Sequence, residues 1–314
     1  MLSREFQLIN KYFRGALDDS SDVRCGIGDD AAIVAVPPGM ELALGMDTLV
    51  EGIHFLSETS PEDIGYKSLA VNLSDMAAVG AEPRWISLSL TLPESDESWL
   101  QQFMTGFTGL ARQYSLSLVG GDLTRGPLTI TIQVHGWIPA GQAIYRHGAR
   151  PHDLVYVSGT LGDAGLALEL LQTRTEVENL QEILQRLNRP EPRVELGMAL
   201  RGIASSSIDI SDGLLSDLGH ILTASHVAAR INVHDLPVSS ALKRYHDTIG
   251  FAIAAGDDYE LCFTAPPGEK HTLEKLAQRF PLTCIGEIIE GEGIQWRQQD
   301  GTEYRPSRQA YSHF

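Results

Sequence analysis

Cysteine is scarce in this 314-residue chain: Cys25, Cys262 and Cys284 are odd in number and lack metal-type spacing. That argues against a disulfide framework or a Cys-based zinc site, and reduced thiols in the cytoplasm are the expectation. Positive charge is also short, with 24 Lys and Arg against 41 Asp and Glu, a formal net charge of -17. Such a surface repels nucleic acid and anionic membranes, so neither is expected as a partner. No run approaches the eighteen or so consecutive apolar residues of a membrane span. Met1-Leu-Ser-Arg-Glu-Phe6 lacks the basic-then-apolar opening of a secretion signal, and none is expected. The Gly-x-x-x-x-Gly-Lys-Ser/Thr loop and the protein-kinase signature, the two commonest phosphate-handling designs, are both missing.

What is present is a repeated acidic motif. Cys25-Gly-Ile-Gly-Asp-Asp-Ala-Ala32 sets Asp29 and Asp30 among small residues, which is what a hard, oxygen-seeking cation needs. One Gly-Asp-Asp is more often a surface turn. Here the pattern returns in Gly45-Met-Asp47, Ser74-Asp75, Gly120-Gly-Asp122, Asp209-Ile-Ser-Asp212 and Gly256-Asp-Asp258, each following or inside an apolar run. These six read as one shared cation site. An acidic site holds a polyphosphate only with divalent metal between the two, and carboxylates without Cys or His at ligand spacing favour Mg2+ over zinc. That suggests nucleotide chemistry.

The length fits two domains, and 43% hydrophobic with 21% charged residues is ordinary for a soluble protein. The boundary is read at Pro139–Pro151, a turn-rich stretch with a local basic cluster, giving domains over 1–138 and 149–314. Residues 3–14 suggest a short amphipathic helix. Gly26-x-Gly28-x-x-Ala31 fits a dinucleotide fingerprint formally, but a strand over 32–36 follows where a helix is required. A strand over 41–46 should deliver Asp47 at its end. Ser60-Pro-Glu-Asp63 starts a helix that runs to about Gly80. Asp75 falls in its last turn, where the dipole disfavours an anion and a nearby cation explains it better. Strands are read over 85–92, 115–119 and 128–134, with a helix over 95–113.

In the second half, a strand over 153–157 leads to a helix ending near 172, with helices over 174–190 and 195–203. Ser207–Gly213 passes from strand to helix, with Ser211 as N-cap and Asp212 in the first turn. A strand over 259–264, a helix over 270–280 and a strand over 283–289 complete the reading, which is α/β throughout.

Taken together, Gly26–Ala31, Asp47–Phe55, Ala70–Ala78, Gly120–Asp122, Asp209–Gly213 and Gly256–Leu261 resemble the thiamine-monophosphate kinase family, in order and at similar spacing from about Val23 to Tyr311. The resemblance implies an aminoimidazole-ribonucleotide-synthetase-like fold of two α/β domains, the first pairing its sheet across a homodimer. It implies ATP-dependent conversion of thiamine monophosphate to thiamine diphosphate and ADP, assisted by several Mg2+ ions. By the same resemblance, Asp30, Asp47, Asp75, Asp122, Asp209 and Asp212 correspond to metal ligands. Gly121, Asp122, Arg146 and Ser211 correspond to nucleotide contacts, and His54, Asp257 and Tyr311 to substrate contacts. No protein nucleophile or base is expected. Gly45 and Met46 stand where relatives often carry Ser or Thr, so metal contact there would use main-chain carbonyls. Asp257 stands where relatives often carry Glu. The alternatives are a sister ATP-dependent synthetase of the same fold, or a non-catalytic Mg-nucleotide-binding protein.

Overall fold

Strict alternation of apolar and Ser/Thr side chains suits a sheet covered on one face. The structure, a computed structural model, describes residues 3–175, 177 and 180–311. The chain splits into two units: Met1–Met76 with Ala81–Gly141, and Ala77–Gly80 with Gln142–Phe314. Among the described residues, no helix is long and apolar enough to cross a membrane.

The first unit opens with α1 (Arg4–Leu8), which continues as a π-turn over Ile9–Phe13 rather than as one α-helix. A two-stranded ribbon follows, β1 (Val23–Cys25) with β2 (Ile33–Val34), the latter shorter than the strand read from sequence. Then come β3 (Met40–Val50), α2 (Pro61–Ala78), β4 (Glu82–Leu92), α3 (Glu97–Gln113), β5 (Ser117–Arg125) and β6 (Thr129–Pro139). The main sheet has the order β3-β6-β4-β5, with only β4 and β5 parallel. Ile130, Ile132 and Val134 of β6, with Ile86, Leu88 and Leu90 of β4, point into the core. Ser60 caps α2 as its sequence suggested: the Asp63 N–H donates to its Oγ at 3.1 Å, and that hydroxyl donates back to the Asp63 carboxylate at 2.8 Å. The α3 cap is Asp96, whose Oδ1 accepts from the N–H of Ser98 and of Trp99.

The second unit runs β7 (Leu154–Ser158), α4 (Asp163–Thr173), α5 (Leu180–Asn188), α6 (Val194–Ala199), β8 (Ser206–Asp209) and α7 (Leu214–Ser225). It continues with β9 (Ala228–Asn232), α8 (Thr248–Ala254), β10 (Leu261–Ala265), α9 (Lys270–Leu276), β11 (Leu282–Ile289) and β12 (Gly293–Arg297). Six strands form one sheet, β12-β9-β11-β7-β10-β8, antiparallel apart from β12 with β9. One core packs α7 and α8 on this sheet through Leu214, Leu218, Ile221 and Ile253. A satellite joins α4 to α5 through Leu166, Leu170, Ile183 and Leu187. The helix expected over 174–190 is observed from Leu180, and residues 176, 178 and 179 lie outside the described residues. The strands β9 and β12 and the helix α8 were not read from sequence.

Candidate functional site

In the first unit the acids form two separate groups. Asp47 lies inside β3 rather than at its end, because pairing with β6 continues from Met40 to Val50 without a break. The Asp47 N–H donates to Asn72 Oδ1 on α2 at 3.0 Å. A methyl built on Gly45 would lie 3.6 Å from Asp75 Cβ and 3.2 Å from Met76 Cε, so position 45 faces α2 and sits beside Asp75. Small size at 45 thus makes room for the helix, whereas Met46 points the other way and is 62% exposed. His54 sits in the turn after β3, its Nδ1 accepting from the Val50 N–H at 3.0 Å.

Asp30 and Asp122 make the second group. They line one cavity of about 740 Å³ together with Gly120 and Gly121. Gly121 has φ +148, and a Cβ there would stand 1.8 Å from the Leu88 carbonyl oxygen. Only glycine lets β5 approach β4 that closely, which leaves bare backbone facing the cavity as a phosphate-binding turn requires. Asp122 and Gly121 again fall inside a strand, since β5 extends to Arg125. Across the sheet Asp47 pairs with Ile132, Ile132 with Leu88, and Leu88 with Gly121. Asp47 and Asp122 are therefore three strands apart, about 14 Å at the usual inter-strand spacing.

The second unit gathers more of the expected residues. Leu261 of β10 pairs with Asp209, which is buried at the end of β8. Asp212 and Ser211 precede α7, whose N-cap is Gly213 with φ +107; this corrects the reading of Ser211 as N-cap and Asp212 as first-turn residue. The physical reason is crowding: a Cβ at 213 would come within 2.9 Å of the Ala254 carbonyl, so the residue adjoining the helix must be glycine. The Asp217 carboxylate accepts from the N–H groups of Ser211 and Asp212, at 3.1 and 3.0 Å. The Ser211 carbonyl accepts from the Asp257 N–H at 2.8 Å, and the Asp212 carbonyl from the Tyr311 N–H at 3.3 Å. Ser211, Asp212, Asp257 and Tyr311 are thus neighbours. Arg146 is not: its carbonyl lies at the other end of α7, near Ser225, and twelve helical residues span about 18 Å.

Asp217 is a residue that sequence reading missed. Burial first, then the charge of Asp209, push its carboxyl up to about 7 against the two N–H donors that favour ionisation. Its signal in the sequence was an acid four residues into a helix that starts at glycine. Asp258, which follows Asp257 in the Gly-Asp-Asp motif, is structural: buried, it accepts twice from the Gly162 N–H, at 2.8 and 3.0 Å.

Whether these residues suit Mg2+ can be tested on donor chemistry. Among the described residues, no three His, Cys, Asp or Glu side chains close on one point. The residues expected to hold it offer carboxylates and backbone carbonyls, the donors a hard cation selects. The mutual repulsion registered at Asp217 is what a cation would relieve. The donor set fits.

Comparison with known proteins gives a consistent result. Residues 28–138 match the family described as AIR synthase related protein, N-terminal domain, and residues 150–297 its C-terminal domain. A thiamine-monophosphate kinase from Salmonella typhimurium is 46% identical over 100% of this chain and 99% of its own. The crystal structure of thiamine-monophosphate kinase from Stenotrophomonas maltophilia superposes with a TM-score of 0.88 at 44% identity, covering 96% of this chain and 98% of that one. AaThiL complexed with AMPPCP and TMP gives a TM-score of 0.79 at 34% identity, covering 98% and 96%.

Proposed function

Because the chain belongs to the thiamine-monophosphate kinase family of AIR synthase related proteins, we propose that it transfers the γ-phosphate of ATP to thiamine monophosphate, giving thiamine diphosphate and ADP. The observation that carries this reading is the full-length likeness at 46% identity, joined to the backbone-lined cavity that holds Gly121, Asp30 and Asp122. The complex of AaThiL with AMPPCP and TMP supports the same pair of substrates here.

The chemistry asks little of the protein beyond charge and position. The acceptor is itself a phosphate, mostly ionised near neutral pH because its second pKa is about 6. No side chain has to remove a proton, and transfer is direct and in line. Bound Mg2+ would neutralise phosphate charge and polarise the transferred group. Asp30, Asp47, Asp75 and Asp122 of the first domain (1–138) and Asp209 and Asp212 of the second (149–314) are the residues that would hold it, with the carbonyls of Gly45 and Met46 as possible additions. Gly121 and Ser211 offer backbone and hydroxyl to the nucleotide, and Arg146 offers charge. Asp257 and His54 face the thiamine ester, and the Tyr311 ring offers a π-face to its cationic thiazolium.

A homodimer through the first domain accompanies this reading. Leu42, Leu44 and Met46 are 46%, 59% and 62% exposed, side by side on one face of β3. Such an apolar stripe on a sheet edge is a ready pairing surface. The separation of Asp47 from Asp122 within one chain is also what a metal site shared between two copies would explain. The location is cytoplasmic, in keeping with three free thiols.

Phosphorus NMR of the purified protein with ATP, Mg2+ and thiamine monophosphate tests the assignment. Thiamine diphosphate and ADP should appear in equal amounts. ADP with free phosphate and no thiamine diphosphate would refute it.

A further inference from the structure

Tyr311 stands at the end of a segment that has no regular structure of its own: from Arg305 to Tyr311 the chain forms neither helix nor strand. A ring carried on such a segment is placed only by whatever ties the segment down. Its backbone is held at the two ends, the Tyr304 N–H donating to the Trp296 carbonyl at 2.9 Å and the Tyr311 N–H to the Asp212 carbonyl at 3.3 Å. Between them the ties are side chains. Ser307 Oγ donates to Asp247 Oδ1 at 3.3 Å, and Arg308 Nε donates to the other oxygen, Asp247 Oδ2, at 2.6 Å. Arg308 Nη2 donates to Glu169 Oε2 on α4 at 3.0 Å. The guanidinium carbon also lies 3.8 Å from the centre of the Phe251 ring on α8, which is 2% exposed and belongs to the core between α4 and α5.

A single surface ion pair contributes little, but here one planar fork serves two carboxylates and stacks on a buried ring at once. Lysine could not do all three. The consequence for Tyr311 is one of reach. Three residues beyond Arg308 extend about 10 Å at most, whereas the seven beyond Tyr304 extend about 24 Å. Releasing Arg308 therefore lengthens the tether that presents the ring, and effective concentration falls roughly threefold to fourfold for that lengthening. Resting on the reading that the Tyr311 ring receives the thiamine ester, we infer that Arg308 is a positioning residue: its guanidinium latches the C-terminal tail onto α4 and α8 and so holds the ring where the thiazolium meets it.

Steady-state kinetics and amide hydrogen exchange on the full-length protein test this together. Arg308→Ala should raise the KM for thiamine monophosphate about threefold, following the tether estimate, with kcat and the KM for ATP unchanged. Arg308→Lys, which keeps the charge without the fork, should fall between this variant and the wild type. Because the latch acts through the Tyr311 ring, the double variant Arg308→Ala/Tyr311→Ala should match Tyr311→Ala alone. Amides 309–311 should exchange roughly tenfold faster in Arg308→Ala and at the wild-type rate in Tyr311→Ala, which keeps its backbone contact. Unchanged exchange or an unchanged KM in Arg308→Ala would overturn the inference, as would a double variant whose KM rises by the product of the two single effects. Faster exchange with wild-type constants in both single variants would also overturn it, by removing Tyr311 from the substrate site, and would leave the kinase assignment intact. A wild-type protein that never phosphorylates thiamine monophosphate would refute the proposed function instead. Calorimetric binding of thiamine monophosphate would then replace KM in the same comparison, and equal binding by wild type and Arg308→Ala would overturn the latch as well.

Discussion

Replacing Arg193 with Met should destabilise the second unit more than any change on its surface. Glu260 is 1% exposed, and its carboxylate accepts from Arg193 Nε at 2.6 Å and Nη2 at 2.7 Å. It also accepts from Arg186 Nη2 at 3.0 Å and Ser158 Oγ at 2.5 Å. Burial alone would raise the Glu260 carboxyl, but the Arg193 guanidinium, with Arg186 and Ser158 behind it, more than offsets this and holds it below its ordinary value. Methionine replaces the stem of Arg193 and removes only the charge partner. Stranding one member of a buried pair costs about 3–5 kcal/mol, and Arg186 still shares the charge, so the lower end, ~3 kcal/mol, applies. For a unit of 150–250 residues that lowers Tm by roughly 6–12 °C. The pH dependence should also change sign. In the wild type the lowered Glu260 contributes stability above about pH 4.5 that is lost as pH falls through its folded value. In the variant the remaining Arg186 and Ser158 contacts no longer offset burial in full, so the folded value should rise above the unfolded one and stability should increase as pH is lowered from 8 towards 5. Urea unfolding followed by circular dichroism at pH 8, 6.5 and 5 measures both effects. A variant within about 1 kcal/mol of wild type, with the same pH slope, would refute the reasoning. The double variant Arg193→Met/Glu260→Gln should recover much of the loss. Because Glu260 follows Asp257 by three residues and its carbonyl accepts from the Ile210 N–H at 2.8 Å, Arg193→Met should also raise the KM for thiamine monophosphate.

Asp47→Asn and Asp122→Asn should each reduce turnover by orders of magnitude with an unchanged urea midpoint, since one carboxylate is half-buried and the other exposed; near-normal turnover in either would show that the metal site lies elsewhere. Tyr311→Ala should raise the KM for thiamine monophosphate several-fold, as loss of a cation–π contact worth about 0.5–1 kcal/mol, more if desolvated, would do; unchanged constants for both substrates would make the tail purely structural. Transfer from chiral γ-phosphate ATP should invert configuration, and net retention would instead demand a phosphoenzyme. With metal removed by EDTA, ATP should bind far more weakly, which calorimetry reads directly, because the carboxylates would then face phosphate unshielded.

Local pattern alone determined a good deal of this protein. The alternation in 85–92 and 128–134 fixed two strands and which of their faces is buried, because side-chain direction in a strand depends only on parity. Ser60-Pro-Glu-Asp63 fixed the start of α2, because a cap is made by residues three apart. The recurring Gly–Asp motifs, through their likeness to one family, identified the chemistry. Tertiary structure decided the rest. Strand order is set by pairing between distant segments, so only the fold separates Asp47 from Asp122 across the sheet while placing Asp30 and Asp122 along one cavity. Close approach of α8 makes Gly213 the cap of α7 and moves Asp212 out of the helix. Asp217 gained its raised pKa and Asp258 its structural role from burial and neighbours contributed by other elements. Residues 3–14 read as a short amphipathic helix until folding set Phe6, Ile9 and Phe13 along the same cavity as Gly121, because a cavity is lined by segments that the sequence keeps more than a hundred residues apart.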